Sequence, residues 1–431
     1  MNVRRQPGAA IGILAGVIIL AWLVPIAHAQ FTADYQTNII SGVTSNWAQG
    51  TDYYIGGNRN PDFHLGFTHD DVLRIDSGGV FFDHSGFVGG RTDFSPSSNN
   101  TAVVTGLGSV WSNQLYCWVG ATSSGNSLVI SNGGQVVDYT GYVGETGGNN
   151  NSVVVTGTGS LWISSYEMTV GQDGGASNTL LISNGGQVFD TVSQIGDLSG
   201  VPTNNSVTVT DPGSVWNVSN NLRIGGTGPG NSLAINNGGL VLALTVEVNS
   251  TNSITLGRGI LSVTNQLTVA PSATVSGCGT INGSLLIYAG GTVEADCGGP
   301  LTFTSNVTNN GTMRAIDGSV LESYGTVVNN GIIDIINGTT NFHGTFINNG
   351  TVLDPSNVRI SNVAVSGNDV SIQIGSITCH TYQVQITPSL TPTTWTNSYP
   401  AQAGTGGVLT FTDSGGATNQ PTRFYRIVVG D

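Results

Sequence analysis

One unit of sequence recurs along this chain, and its spacing limits the fold more than any other feature. Asn151-Ser152-Val153-Val154-Val155-Thr156-Gly157-Thr158-Gly159-Ser160-Leu161-Trp162 runs on to Thr169-Val170-Gly171. Asn178-Thr179-Leu180-Leu181-Ile182-Ser183-Asn184-Gly185-Gly186-Gln187-Val188 runs on to Gln194-Ile195-Gly196. The unit also opens at Asn100, Asn126, Asn205, Asn231 and Asn252, with steps of 26, 25, 27, 27, 26 and 21 residues from start to start. A fixed internal period in this range means supersecondary units that stack on one another.

Within each unit the apolar residues lie two apart, the strand period, and no segment sustains a helical period. Gly-Gly, Asn-Gly and Gly-Ser pairs punctuate the strands as turns. Three short strands per turn of about 26 residues is the arithmetic of a parallel β-helix, whose coils stack at ~4.8 Å. Aligned units then place like side chains above one another. One column reads Ala102, Leu128, Val153, Leu180, Val207, Leu233, Ile254; another reads Val104, Ile130, Val155, Ile182, Val209, Ile235, Leu256. A third alternates large and small: Trp111, Val136, Trp162, Val188, Trp216, Val241. The alternation marks it as an inward core column rather than a sugar-stacking platform. Cys117 falls in a column with Gly141, Met168, Ser193, Leu222 and Val246 and reads as a small core residue.

The regular coils of about 26 residues are expected over 100–263. Shorter coils follow over 264–355, where Gly291-Thr292, Gly311-Thr312, Gly331-Ile332 and Gly350-Thr351 are spaced 20, 20 and 19 residues. Asn309-Asn310, Asn329-Asn330 and Asn348-Asn349 recur at the turns there, the pattern of an amide ladder between stacked strands. Residues 30–99 read as atypical first coils that cap the stack. Asp354-Pro355-Ser356 ends the period, and 356–431 alternates as a small antiparallel β-sandwich. The fold class is therefore all-β: a right-handed parallel β-helix followed by a β-sandwich. About twelve coils make a rod on the order of 60 Å long.

Residues 1–29 read as an export signal, with Arg4 and Arg5 before the apolar run Ile11 to Val24 and Ala27-His28-Ala29 before Gln30. No transmembrane segment is expected after its removal, and the mature protein is expected to be secreted or held at the cell surface. Loss of Arg4 and Arg5 takes the net charge from −14 to −16, because no acidic residue precedes Gln30. A chain of 431 residues without a single Lys, with 25 acids, argues against nucleic acid and anionic membranes as partners. Extracellular glycans or neighbouring cell-surface components are the expected partners. In an oxidising compartment Cys278 and Cys297, 19 residues apart and close to the local repeat length, suit a disulfide between neighbouring coils. Cys117 and Cys379 are expected to stay unpaired.

The units Thr156-Gly157-Thr158-Gly159-Ser160-Leu161-Trp162 with Val170-Gly171, and Leu181 to Val188, resemble the repeat of autotransporter passengers and PEP-CTERM-associated exported proteins. Ser276-Gly277-Cys278-Gly279-Thr280-Ile281-Asn282-Gly283 resembles the passenger-type β-strand repeat, and Arg423-Phe424-Tyr425-Arg426 a terminal β-domain of large exported bacterial proteins. The resemblance implies a right-handed β-helix outside the cell, often in adhesion or matrix, and supplies no catalytic residues. The chain ends Ile427-Val428-Val429-Gly430-Asp431 without a translocator barrel or a Pro-Glu-Pro sorting motif, so neither self-translocation nor that sorting route is expected.

The functional expectation is an exported, non-enzymatic surface or matrix adhesin or structural protein that binds glycan. The alternative is a polysaccharide lyase or glycoside hydrolase with its site in the first coils. For that alternative the candidate catalytic residues are His69, Asp70 and Asp71, and the candidate metal ligands are His64, His69 and Asp70, within a polar cluster that includes Asp62, Asp83 and His84. Asp70 and Asp71 point to opposite faces of an extended chain, so at most one joins a shared site. Cationic groups to neutralise a uronate are scarce, since only Arg223 and Arg258 lie between Arg91 and Arg314. Asp138, Asp173, Asp190, Asp197 and Asp211 read as solvated turn acids; Ca²⁺ on these oxygens is the weaker alternative, because the Gly-Gly-x-Gly-x-Asp repeat is absent.

Overall fold

A computed structural model describes residues 35–46, 53–55, 68–90, 97–378, 380–418 and 422–430. The export signal, Asp62, His64 and Cys379 lie outside the described residues. Thirty-two strands between Thr37 and Leu353 join in one continuous parallel ladder, a β-solenoid. Residues 360–430 form two antiparallel sheets that pack as a small sandwich.

The coil is built from the repeat itself. Ser152–Thr156 forms its first face, and Leu161–Val170 bends once to supply the second and third. In the next coil Thr179–Ser183, Gln187–Asp190 and Val192–Ile195 do the same. Register is in phase: Leu128 pairs with Val153 and Val153 with Leu180, all within 1% of complete burial. Ile40, Ile75, Val104, Ile130, Val155, Ile182, Val209 and Ile235 are buried together in one core. Each such aliphatic contributes roughly 1.5–3 kcal/mol relative to exposure.

The turn between first and second faces explains its own residues. Asn184 and Gly185 take positive φ, 51° and 84°. Gly186 then passes so close to the coil below that a Cβ would lie 2.3 Å from the Val155 carbonyl oxygen.

Two asparagine ladders run beside the core. Asn100, Asn126, Asn151, Asn178, Asn205, Asn231 and Asn252 open the long coils, each amide donating to the next at 3.0–3.2 Å. Asn309, Asn329 and Asn348 repeat the device in the short coils, at 2.8 and 2.7 Å. Cys278 and Cys297 are bonded, with Cα atoms 5.9 Å apart, and tie successive coils. Cys117 is buried with a free thiol that burial holds well above its usual range.

Asp354 caps the short 3-10 turn Pro355–Asn357 where the solenoid stops. One sheet of the sandwich holds Ile360–Ser366, Asp369–Gly375 and Val408–Asp413. In the other, Thr381–Thr387 pairs with Thr396–Asn397, Gln402–Ala403 and Phe424–Gly430. Val370, Ile372, Ile374, Tyr382, Val384, Leu409 and Phe411 make its core. A buried contact joins sandwich to solenoid: His380 Nε2 lies 2.7 Å from Asp334 Oδ2.

Candidate functional site

Described members of the N-terminal polar cluster take different partners. Asp71 is completely buried; its carboxylate accepts from the Gln36 amide at 2.8 Å, and its own amide donates to Asn100 Oδ1 at 3.1 Å. It is therefore the first rung of the long asparagine ladder. Asp70 sits at the turn with φ 60°, and the His69 imidazole accepts from the Ser98 amide through Nδ1 at 2.9 Å. Asp83 turns inward and accepts from the Trp111 indole at 2.8 Å. Among the described residues no group of three His, Cys, Asp or Glu side chains is placed to hold a metal ion.

Three of the acids read as solvated, Asp138, Asp190 and Asp197, are instead buried, which corrects that expectation. Asp138 accepts from Trp162 Nε1 and from Ser164 Oγ, both at 2.6 Å. Asp190 accepts from Trp216 Nε1 at 2.8 Å and from Ser193 Oγ at 2.5 Å. Burial pushes both carboxyls up to about 7 against the pull of those donors. Asp83 with Trp111, Asp138 with Trp162 and Asp190 with Trp216 thus form the same couple three times, always between one coil and the next. The true repeat is consequently two coils long. The indoles fit because the coil below is small at the facing position: a Cβ at Gly141 would lie 2.7 Å from Trp162 Cζ2. Strand parity carried this signal, since Asp138 and Asp190 each stand two residues after an inward valine.

Asp173 and Asp211 are nearer the surface, and Asp197 is buried beside Asp173. Asp173 Oδ2 accepts from Thr146 at 2.8 Å, and Asp197 Oδ1 accepts from the Asp173 amide at 3.1 Å. Burial raises the Asp197 carboxyl.

With the acids inside or at turns, the outer faces are what the molecule offers to a partner. On the first face one outward column reads Thr101, Ser127, Ser152, Thr179, Ser206, Ser232, Ser253, Thr274, Thr292, Thr312, a hydroxyl on every coil. A parallel column reads Thr105, Ser131, Thr156, Ser183. Between them lie Val103, Val129, Val154 and Leu181. Neighbouring hydroxyls bond along the axis: Thr101 to Ser127 at 2.9 Å, Ser131 to Thr105 at 2.8 Å, Ser183 to Thr156 at 3.0 Å. Rungs recur every ~4.8 Å, and alternate residues every ~6.7 Å along a strand, so the face is a regular grid.

The second face is equally uncharged. Its outward columns read Val110, Gln135, Leu161, Gln187, Val215, Leu240, Ile260 and Ser112, Val137, Ile163, Phe189, Asn217, Leu242, Ser262. An open recess of 260 Å³ between Asn217, Leu242, Leu244, Ser262 and Thr264 marks its corner. Small-molecule pockets run to roughly 300–1,000 Å³, and this recess falls below that range. At the bend nearer the N-terminus Tyr139 and Tyr166 stack at 5.4 Å, each 46% exposed. Charge gathers on the third face, where Arg223 pairs with Glu247 at 3.1 Å and Glu167 accepts from Gln194 at 2.8 Å.

Fold and faces together define a class: a parallel β-solenoid that presents hydroxyl and aliphatic columns over its long coils, followed by a β-sandwich. No family model matches the chain, and no curated protein matches it. Among solved structures it is similar to a TibC-catalyzed hyper-glycosylated fragment of TibA, with 16% identity and a TM-score of 0.40, over 75% of this chain and 99% of that one.

Proposed function

We propose that this chain is an exported, non-enzymatic β-solenoid that serves as a surface or matrix adhesin or structural rod, and that it meets neutral glycan on its first and second faces. The carrying observation is the unbroken hydroxyl column from Thr101 to Thr312. From Thr101 to Thr179 it is flanked by the aliphatic stripe Val103, Val129, Val154 and Leu181. Hydroxyls of a sugar polymer can exchange hydrogen bonds with such a column, while the valine stripe covers the apolar C–H face of each ring. An uncharged surface attracts no counter-ions, so the binding has little salt dependence.

A pull-down on insoluble neutral and acidic polysaccharides, with release of reducing ends measured in parallel, tests this. The expected result is retention on a neutral polymer, unchanged by salt, with no new reducing ends. Val129→Lys with Val154→Lys, planted in the middle stripe, lowers retention by roughly tenfold or more by placing unpaired charge in the contact. Retention on acidic polymers alone, or steady release of reducing ends, overturns the reading in favour of a carbohydrate-active enzyme.

A further inference from the structure

The first face carries a bounded strip. Over four successive coils its outward residues keep one order: hydroxyl, aliphatic, hydroxyl. Thr101, Val103 and Thr105 set the order, and the ladder repeats it in register as far as Thr179, Leu181 and Ser183. Val103, Val129, Val154 and Leu181 are each partly exposed and form the middle stripe. Both ends of the stripe are polar. Toward the N-terminus its column meets Arg74, whose Nε lies 2.6 Å from Asp76 Oδ2; in the other direction Leu181 pairs with Thr208. The strip is therefore four rungs long at ~4.8 Å per rung, and its two hydroxyl columns run ~13 Å apart with the stripe between them. Of the 25 acidic residues in the chain none stands on these four strands, and no Arg does either. Hydroxyls of neighbouring rungs bond to one another, at 2.9 Å for Thr101 with Ser127 and 3.0 Å for Ser183 with Thr156, which holds them in line.

That pattern selects a ligand. A charged one would lose hydration over these rungs without meeting a counter-charge, so the fitting ligand is neutral. It is also a ribbon, with hydroxyls along both edges, C–H groups on its faces, and one repeat per rung. A pyranose with every substituent equatorial has this form: its axial hydrogens make both ring faces apolar, and its hydroxyls lie around the rim. Equatorial bonds at both linkage carbons extend such rings into a straight ribbon that advances by little more than one rung spacing per sugar. Successive rings turn over, so each edge carries hydroxyls from alternate sides and both flanking columns find partners. An α-linked chain of the same sugar coils away from the strip after about two rings, and an N-acetylated chain lacks one of the edge hydroxyls. We infer that the strip from Thr101 to Ser183 is a site for four consecutive glucose units of an unbranched β-1,4-glucan, laid along the solenoid axis with one ring over each of Val103, Val129, Val154 and Leu181. This site deepens the glycan reading of the first face and rests on it.

Calorimetric titration of the full chain with β-1,4-linked glucose oligomers, from the dimer to the hexamer, is the test. Affinity rises roughly fivefold per sugar up to the tetramer, the worth of ~40 Å² of apolar surface covered by each ring, and levels off beyond it. The α-1,4-linked tetramer binds about 25-fold more weakly, because two of its rings leave the stripe. Leu181→Thr shortens the stripe and moves the plateau to the trimer. Thr208→Val, between the hydroxyls of Ser206 and Thr210, lengthens the stripe and moves the plateau to the pentamer. That gain is one a misfolded chain does not produce. Equal binding of the α- and β-linked tetramers, a plateau indifferent to both substitutions, or no binding of the β-linked series overturns the assignment. If the protein is nonetheless retained on an insoluble neutral polymer, the broader glycan reading stands; without that retention both fall.

Discussion

Replacing Asp138 with Asn isolates the cost of keeping an acid in the solenoid core. The carboxyl is buried against Trp162 and Ser164, and burial lifts it from 3.8 to about 7. Between those values the folded chain holds a proton that the unfolded chain has released. Stability from this group is therefore greatest below about pH 4, falls as pH rises through the window from about 4 to 7, and levels off above it. A tenfold change in proton affinity corresponds to ~1.4 kcal/mol, so full ionisation costs the fold about 4 kcal/mol. Asn cannot ionise, and it keeps the contacts: its Oδ1 accepts from the Trp162 indole, and its Nδ2 donates to Ser164 Oγ. The net expectation for Asp138→Asn is a gain of roughly 1–2 kcal/mol at about pH 5 and about 4 kcal/mol at about pH 8. Denaturant midpoints of both chains across that range, compared at equal pH, read the difference, with Asp190 and Cys117, which the Asp138 charge raises, as the groups that shift alongside it. Parallel pH profiles for the two chains, or a variant that is less stable than wild type at about pH 8, refute the assignment of a strained buried acid.

Three other perturbations test the packing. Gly141→Ala drives a methyl into Trp162 Cζ2 at 2.7 Å and Ser164 Oγ at 2.9 Å, and costs about 1–3 kcal/mol in thermal or denaturant unfolding. Asn178→Ala removes a rung that donates to Asn205 Oδ1 and the Gly148 carbonyl and accepts twice from Asn151; the loss is ~3 kcal/mol or more, read as faster amide exchange spreading from that coil. The double change Cys278→Ser with Cys297→Ser opens a loop whose ends lie 19 residues apart, lowering stability by about 3 kcal/mol, and adding reductant to the wild type reproduces the loss.

Much of the solenoid was readable because a parallel stack makes each coil the neighbour of its own sequence copy. Leu128, Val153 and Leu180 fall in one column of the alignment and in one column of the core for the same reason. Strand period assigned the Trp column to the inside, and repeat length set Cys278 near Cys297. The short asparagine ladder at Asn309, Asn329 and Asn348 followed from recurrence at a turn. The long ladder was equally present at the head of every unit, yet its extension back to Asp71 was hidden because a different side chain holds that rung.

What the chain alone determined, then, is everything that depends on a residue and its copy one period away: stacked coils, an aliphatic interior and uncharged hydroxyl columns outside. Tertiary structure decided what depends on residues of different kinds meeting across coils. Asp138 meets Trp162 rather than water because it is the last inward residue of its face before the ladder shifts at the corner, beside the indole of the next coil. Val363 and Val365 stay exposed on the edge strand of their sheet, where among the described residues one neighbouring strand pairs with theirs. Both outcomes come from geometry where the period is broken, at a corner and at an edge, and there a residue's neighbours are no longer its own repeats.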